Sequence, residues 1–267
     1  MRNEVIMFRC DRGTEADPVI RAAGGRIVDV GTVGSATETQ FTDAINERTA
    51  AVLILAGERS ERFATDRVVT LAHERGVSVL VDGAYALPPK ENLWRFTRDL
   101  GVDAFITSGG KAMRGPQSTG LVLGKHWLID GCKYHSSPNL RVGRGMKVGK
   151  EEFAGMYAAL KLFLENDFNA LAAGHARQLN VIGGSLKDIQ HVSVSAVESN
   201  QLQLGIDEDA LGMTAEAVAA AVLANDPSVL LLGRNQHIII RANMLQLGEE
   251  QIVADCLRKV LRKGVER

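Results

Sequence analysis

Residues 106–120 read ITSGGKAMRGPQSTG, so that Lys111 follows an apolar run, sits directly after Gly109 and Gly110, and precedes Arg114 by three positions. A solvated loop lysine has no need of that setting. An amine that must reach a fixed electrophile or anion does, because glycines let backbone and a bound group approach closely. Such a lysine can contact a phosphate or, as a nucleophile, form a Schiff base. A second stretch, VSVLVDGAY, ends its apolar run at Asp82 and has Ala84 two residues further on. A carboxylate at a buried strand end is costly unless a cation answers it. The protonated nitrogen of a pyridine ring is one such cation; a loop cap and a metal ligand are the other readings of Asp82. Both residues end apolar runs, and ligands of α/β sheets bind beyond the carboxyl ends of strands. Taken together they point to pyridoxal 5'-phosphate, whose electron-withdrawing ring needs an amine and an acid in these roles.

The elements that must position this pair are legible as an alternation. EVIMF, GRIVDV, AAVLILAG, VSVLVDG, DAFITSGG and TGLVLG alternate with amphipathic stretches such as DRVVTLAHERG and ENLWRFTRDLG. The apolar runs are continuous, as expected for strands of a mostly parallel sheet covered on both faces. From Lys150 the stretch KEEFAGMYAALKLFLENDFNALAAG keeps helical spacing for several turns. After it HVSVSAVES, NQLQLGID, SVLLLG and HIIIRA, with two helix-like segments, predict a small α+β domain with an antiparallel sheet. The expected division is a large domain over residues 1–170 and a small one over 171–267.

The SGGKAMRGPQSTGLVLG and VLVDGAYALPP stretches, with GRGMKVGKEE further on, resemble the selenocysteine synthase-like branch of the fold-type I pyridoxal-phosphate enzymes. That branch includes seryl-tRNA selenium transferases and D-glucosaminate-6-phosphate ammonia lyases, and GRGMKVGKEE is more similar to the lyase type. The resemblance implies an α/β fold of the fold-type I class, Lys111 as the Schiff-base lysine, Asp82 as partner of the ring nitrogen, and a homo-oligomer, a homodimer or higher, with active sites at the subunit interface. It also implies a preceding segment whose Gly/Ala-rich turn and helix N-terminus hold the cofactor phosphate. Before MRNEVIMFRC there is none, so the expectation is a fragment, a misplaced start or a cradle supplied by another subunit. Gly83 stands where the family commonly has alanine, which reads as a small change.

Other residues have two readings each. Ser108 can bond the cofactor phosphate or satisfy a tight turn. Arg114 can bind phosphate or anchor the RGPQ loop, and its position favours the cofactor. Arg141, Arg144 and Lys147 make a compact basic loop, whose guanidinium forks suit a substrate carboxylate or phosphate. Arg9 and Arg12 are weaker candidates for the same task. His135 can assist proton transfer or simply be exposed; Tyr85 can pack near the cofactor ring or line the core.

The expected reaction is α,β-elimination on a small anionic amino acid or amino sugar acid similar to D-glucosaminate 6-phosphate. Lys111 takes the α-proton, a β-hydroxyl leaves, and the enamine hydrolyses to a keto acid and ammonia. A selenium transferase acting on seryl-tRNA is the rival enzyme, and a truncated non-catalytic subunit is the rival outside catalysis. A net charge of −1 over 267 residues offers no overall field for nucleic acid. The three cysteines, Cys10, Cys132 and Cys256, are widely spaced and form no metal-ligand pattern. No uninterrupted apolar stretch reaches the roughly 18 residues of a membrane span, and the start lacks the apolar core of a signal peptide. The expected location is the cytoplasm.

Overall fold

A computed structural model of the chain describes residues 1–11, 17–56, 64–198 and 200–265. Its contacts divide it into two compact units, Met1–Asn166 and Asp167–Arg267. In the first, β1 (Glu4–Phe8), β2 (Arg26–Val30), β3 (Thr49–Leu55), β4 (Ser78–Asp82), β5 (Ala104–Ser108) and β6 (Gly120–Gly124) form one sheet in the order β2-β1-β3-β4-β5-β6. The first five run parallel; β6 is antiparallel to β5. The continuous apolar runs have the expected cause. Ala104 and Phe105, consecutive and therefore on opposite faces, are both fully buried, as are Ile6, Val52, Val79 and Val81.

The parallel strands are linked by α1 (Asp17–Ala22), α2 (Glu38–Ala44), α3 (Thr65–His73) and α4 (Asn92–Trp94), the last continuing as the π-helical turn Arg95–Asp99. Thr37 and Gln40 close a reciprocal capping box on α2. In α3, Val68, Val69, Leu71 and Ala72 face the sheet side of an amphipathic helix. Beyond β6 lie α5 (His126–His135) and α6 (Lys150–Glu165).

Asp103, just before β5, is 3% exposed. It accepts from the Val79 amide at 2.7 Å, meets His73 Nε2 at 2.9 Å and pairs with Lys125 Nζ at 2.6 Å. Burial opposes its ionisation, yet Lys125, His73 and Val79 together hold the carboxyl below the usual carboxylate range. This network fixes β4 against β5 at the amino ends, so the opposite ends emerge side by side, with Asp82 opposite Ile106.

The second unit contains α7 (Phe168–Leu186), β7 (Val192–Glu198), β8 (Gln201–Ile206), α8 (Glu208–Leu211), α9 (Ala215–Leu223), β9 (Leu232–Arg234), β10 (His237–Arg241) and α10 (Glu249–Val265). Its antiparallel sheet has the order β7-β8-β10-β9. Leu179, Ile182, Leu186, Leu204, Ile238 and Leu257 build its core. Two details differ from the sequence pattern. The apolar run SVLLLG pairs only from Leu232, and the helical stretch from Lys150 is two helices. Asn166 is extended at φ −62° and ψ 139°, and the Asp167 carboxylate caps a fresh helix by accepting from the Asn169 and Ala170 amides. Apolar spacing continues across that break because each helix has its own core to face.

Candidate active site

Asp82 is the last residue of β4 and half-buried. Its Oδ1 accepts from the Ala84 amide at 3.0 Å, a local turn bond, and no other hydrogen bond or ion pair reaches the carboxylate among the described residues. The chain then turns back through Gly83, whose carbonyl accepts from Ala86 N at 3.0 Å. That turn is fastened to β5, since Gly83 N donates to the Ile106 carbonyl at 2.7 Å and Thr107 Oγ1 donates to the Gly83 carbonyl at 3.3 Å.

Gly83 is not interchangeable with alanine. A β-carbon at this position would overlap the ring of Phe105, which is fully buried and stacks on Phe96 at 4.8 Å between centroids. Gly83→Ala is therefore expected to displace Phe105 and to cost about 1 to 3 kcal/mol, as overpacked cores do. A denaturant midpoint equal to that of the parent protein would show that the ring yields freely.

Ser108 ends β5 opposite Gly120 and is half-buried. Between them the loop of residues 109–119 folds on itself: Gly109 N donates to Thr119 O at 2.9 Å and Gly115 N to Gly109 O at 2.8 Å. The two glycines before Lys111 are required by this closure. A β-carbon on Gly109 would overlap Thr119 and Met156, and one on Gly110 would lie 2.8 Å from Gln117 Cα. Arg114 is exposed and holds a left-handed φ of 56°, with its amide donating to the Lys111 carbonyl at 2.9 Å. Lys111 itself is exposed, and its Nζ lies 3.3 Å from the centroid of the Tyr85 ring. Tyr85 is 64% exposed, so it does not line the core.

Glu152, which no motif singled out, holds this loop to α6. It accepts from Ser118 Oγ, and its Oε2 accepts from the Gly149 amide at 2.6 Å. Those two bonds keep its carboxyl below the usual range. The spacing from Gly149 to Glu152 is that of a capping box, a signal visible in GKEE.

The basic loop lies between α5 and α6. Arg141 places its guanidinium over the Tyr134 ring, 4.6 Å from the centroid, and donates to the Tyr134 hydroxyl. Arg144 and Lys147 are exposed and make no side-chain hydrogen bond or ion pair among the described residues. None of the three touches Lys111, Asp82 or Ser108 through such a bond. His135 ends α5, exposed, with its ring edge-on to Tyr134 at 5.3 Å. Arg9 follows β1, and Arg12 falls outside the described residues. A cavity of about 530 Å³ lies in the second unit, lined in part by His191, Ser193, Asp207 and His237, and includes none of these residues. No group of three or more metal-ligating side chains occurs among the described residues.

The arrangement at the ends of β4 and β5 fits pyridoxal 5'-phosphate by its donor set. A carboxylate with a single local bond ends β4, a hydroxyl ends the neighbouring parallel strand β5, and an amine stands three residues further on in the loop after β5. This sheet with a separate small antiparallel unit is the fold of the type I pyridoxal-phosphate enzymes. The chain belongs to the L-seryl-tRNA selenium transferase family, whose model matches residues 15–195. Members of this family depend on pyridoxal phosphate. D-glucosaminate-6-phosphate ammonia lyase of Salmonella typhimurium (strain 14028s / SGSC 2262) is 30% identical over 238 residues, which are 86% of this chain and 62% of the lyase. A 5'-C-glycyluridine monooxygenase-decarboxylase of Streptomyces sp is 27% identical, over 85% of this chain and 57% of that enzyme. The solved structure of a D-glucosaminate-6-phosphate ammonia-lyase superposes with a TM-score of 0.82 at 25% identity, covering 99% of this chain and 72% of that one. The chain thus spans about three fifths of the length of these two curated relatives.

Proposed function

We propose that this chain carries the chemistry of a pyridoxal-phosphate-dependent ammonia lyase acting on a small anionic amino acid or amino sugar acid of the D-glucosaminate 6-phosphate kind. The observation that carries the reading is that Asp82 ends β4 while Lys111 stands in the loop directly after the adjacent parallel strand β5, in a chain similar to such a lyase along most of its length. When bound, the cofactor supplies an electron sink conjugated to the substrate amine. Asp82 holds a proton on the ring nitrogen by its negative charge. Lys111 would hold the cofactor through Nζ and would be the group placed to take the α-proton there. The β-hydroxyl then leaves as water with a proton from the site, and the enamine released takes up one water to give a 2-keto acid and ammonia. Ser108 and Arg114 serve the cofactor phosphate. The first unit, Met1–Asn166, is the cofactor-binding domain in this reading and the second, Asp167–Arg267, the small domain, a boundary four residues before the one expected from the sequence.

The test is direct. Protein equilibrated with pyridoxal 5'-phosphate, reduced with borohydride and digested should carry a pyridoxyl group on Lys111 by peptide mass mapping. Label on another lysine, or on none, overturns the assignment.

Arg141, Arg144 and Lys147 receive the anionic end of the substrate. Arg144, with no side-chain bond to give up, offers the cleanest trial. Arg144→Ala should remove a charge-assisted contact worth about 1.5 to 3 kcal/mol, roughly a 10- to 150-fold loss in kcat/KM. A neutral substrate analogue should be affected far less. Equal losses on both would make the loop structural. Arg141→Ala is expected to follow the same pattern with an added packing loss, because its guanidinium also covers Tyr134.

A homodimer in the cytoplasm completes the reading. Met156, Ala159 and Phe163 of α6 face the core, while Phe153, Tyr157 and Leu162 are exposed on other faces, and Trp127 and Tyr134 of α5 are also exposed. Large apolar side chains at such density suit a subunit interface. No helix among the described residues is long and apolar enough to cross a membrane.

A further inference from the structure

We infer that Tyr85 is the positioning residue for Lys111, seating its ammonium on the ring face and thereby presenting the amine at the ends of β4 and β5. The inference rests on the reading of Lys111 as the Schiff-base lysine. Four bonds specify where the ring stands. Gly83 N and Thr107 Oγ1 tie the turn to β5, Ala86 N closes it, and Asn92 Nδ2 donates to the Ala86 carbonyl at 2.7 Å. Ala86 and Leu87, which follow, are buried at 7% and 8% exposure. The backbone around Tyr85 is therefore held on both sides, yet its ring is left 64% exposed.

A tyrosine so exposed adds little to the core, and its hydroxyl makes no hydrogen bond among the described residues. The contact it does make is with Lys111 Nζ, 3.3 Å from the ring centroid. From the lysine's side the position is equally specific. No carboxylate pairs with Lys111 among the described residues, so the ring face is the group that meets its charge. A lysine side chain has four rotatable carbons, and an exposed one samples many rotamers. The negative face of an aromatic ring narrows that set by attracting the cation. The seat also suits exchange, because a contact of this strength holds an amine without trapping it. An ion pair with a buried carboxylate would resist release.

The experiment labels the protein with lysine enriched in ¹³C at Cε and assigns the Lys111 correlation by its disappearance in Lys111→Arg. Protons over a ring face are shielded, so the wild-type Lys111 signal should lie upfield of the other lysines. Tyr85→Phe should keep the displacement, since the ring remains, and Tyr85→Leu should return the signal to the common position. Pyridoxyl labelling provides the second readout. In Tyr85→Leu, the share of label on Lys111 relative to other lysines should fall roughly 2- to 5-fold, the population change expected for losing an exposed cation–π contact, and Tyr85→Phe should restore it. A Lys111 signal at the common position in the parent protein, or an upfield signal that survives Tyr85→Leu, overturns the seat. An unchanged or larger share of label in Tyr85→Leu overturns the positioning role. A displaced signal with no pyridoxyl on Lys111 in the parent protein overturns the Schiff-base reading, and with it the positioning role, while leaving the ring contact standing. The two failures are thus told apart.

Discussion

Lys111→Arg should leave the protein folded, unlabelled by pyridoxal phosphate at residue 111, and slower by roughly 100- to 10,000-fold in kcat, the range that a positioned general base supplies. The fold should survive because the loop is held by its backbone and by its tie to α6: Gly109 to Thr119, Gly115 to Gly109, and Ser118 to Glu152. The Lys111 side chain takes part in none of these bonds. Arginine keeps the positive charge and can still lie on the Tyr85 ring, so a merely electrostatic role for Lys111 predicts a mild effect. A guanidinium stays protonated at every accessible pH and can neither bond covalently to an aldehyde carbon in this way nor accept the α-proton. Lys111→Ala should fail equally and regain part of its rate with added small primary amines, which restore the base without its tether. Turnover within a few-fold of the parent for Lys111→Arg would reduce Lys111 to an anion contact and remove the basis of the lyase reading.

The sheet was legible because burial on both faces writes continuous apolar runs, and each of the six predicted in the first half is a strand. Asp82 and Lys111 stood out for the same reason, as polar residues at the ends of apolar stretches. What could not be read were contacts made across long separations in sequence. Gly83 is required by Phe105, a residue on the next strand, and nothing local distinguishes it from a position that tolerates alanine. Gly109 and Gly110 invite the reading of a cradle because glycine allows close approach, but the approaching groups are Thr119, Met156 and Gln117 of the same unit. The break at Asn166 was hidden by apolar spacing that continues in the next helix, although Asp167 is the kind of residue that begins one. Glu152 was available from the spacing of GKEE alone. Its reach to Ser118 was not, because that bond depends on where the β5–β6 loop lands.

Asp82→Asn should preserve the fold while lowering kcat by roughly 100- to 1,000-fold, the usual effect of deleting one preorganised electrostatic group. The substitution keeps shape and keeps the turn. An amide oxygen at the same position can accept from the Ala84 amide as Oδ1 does now, so the β4 end and the Gly83 turn have no reason to move. What changes is charge. A carboxylate stabilises a protonated ring nitrogen facing it, whereas a neutral amide stabilises it far less, and the ring then withdraws fewer electrons from the substrate. Asp82→Glu retains the charge but loses the turn bond's geometry, so it should recover more activity than Asn while losing some stability. Pyridoxyl labelling of Lys111 should persist in Asp82→Asn, since the amine acts on the aldehyde and not on the ring nitrogen. That combination of retained label and lost turnover separates Asp82 from a loop cap. If Asp82→Asn turns over at the parent rate, the bond to Ala84 is the whole of its function. If instead label and stability fall together, Asp82 holds the turn that seats Tyr85 and Lys111, and its charge is secondary.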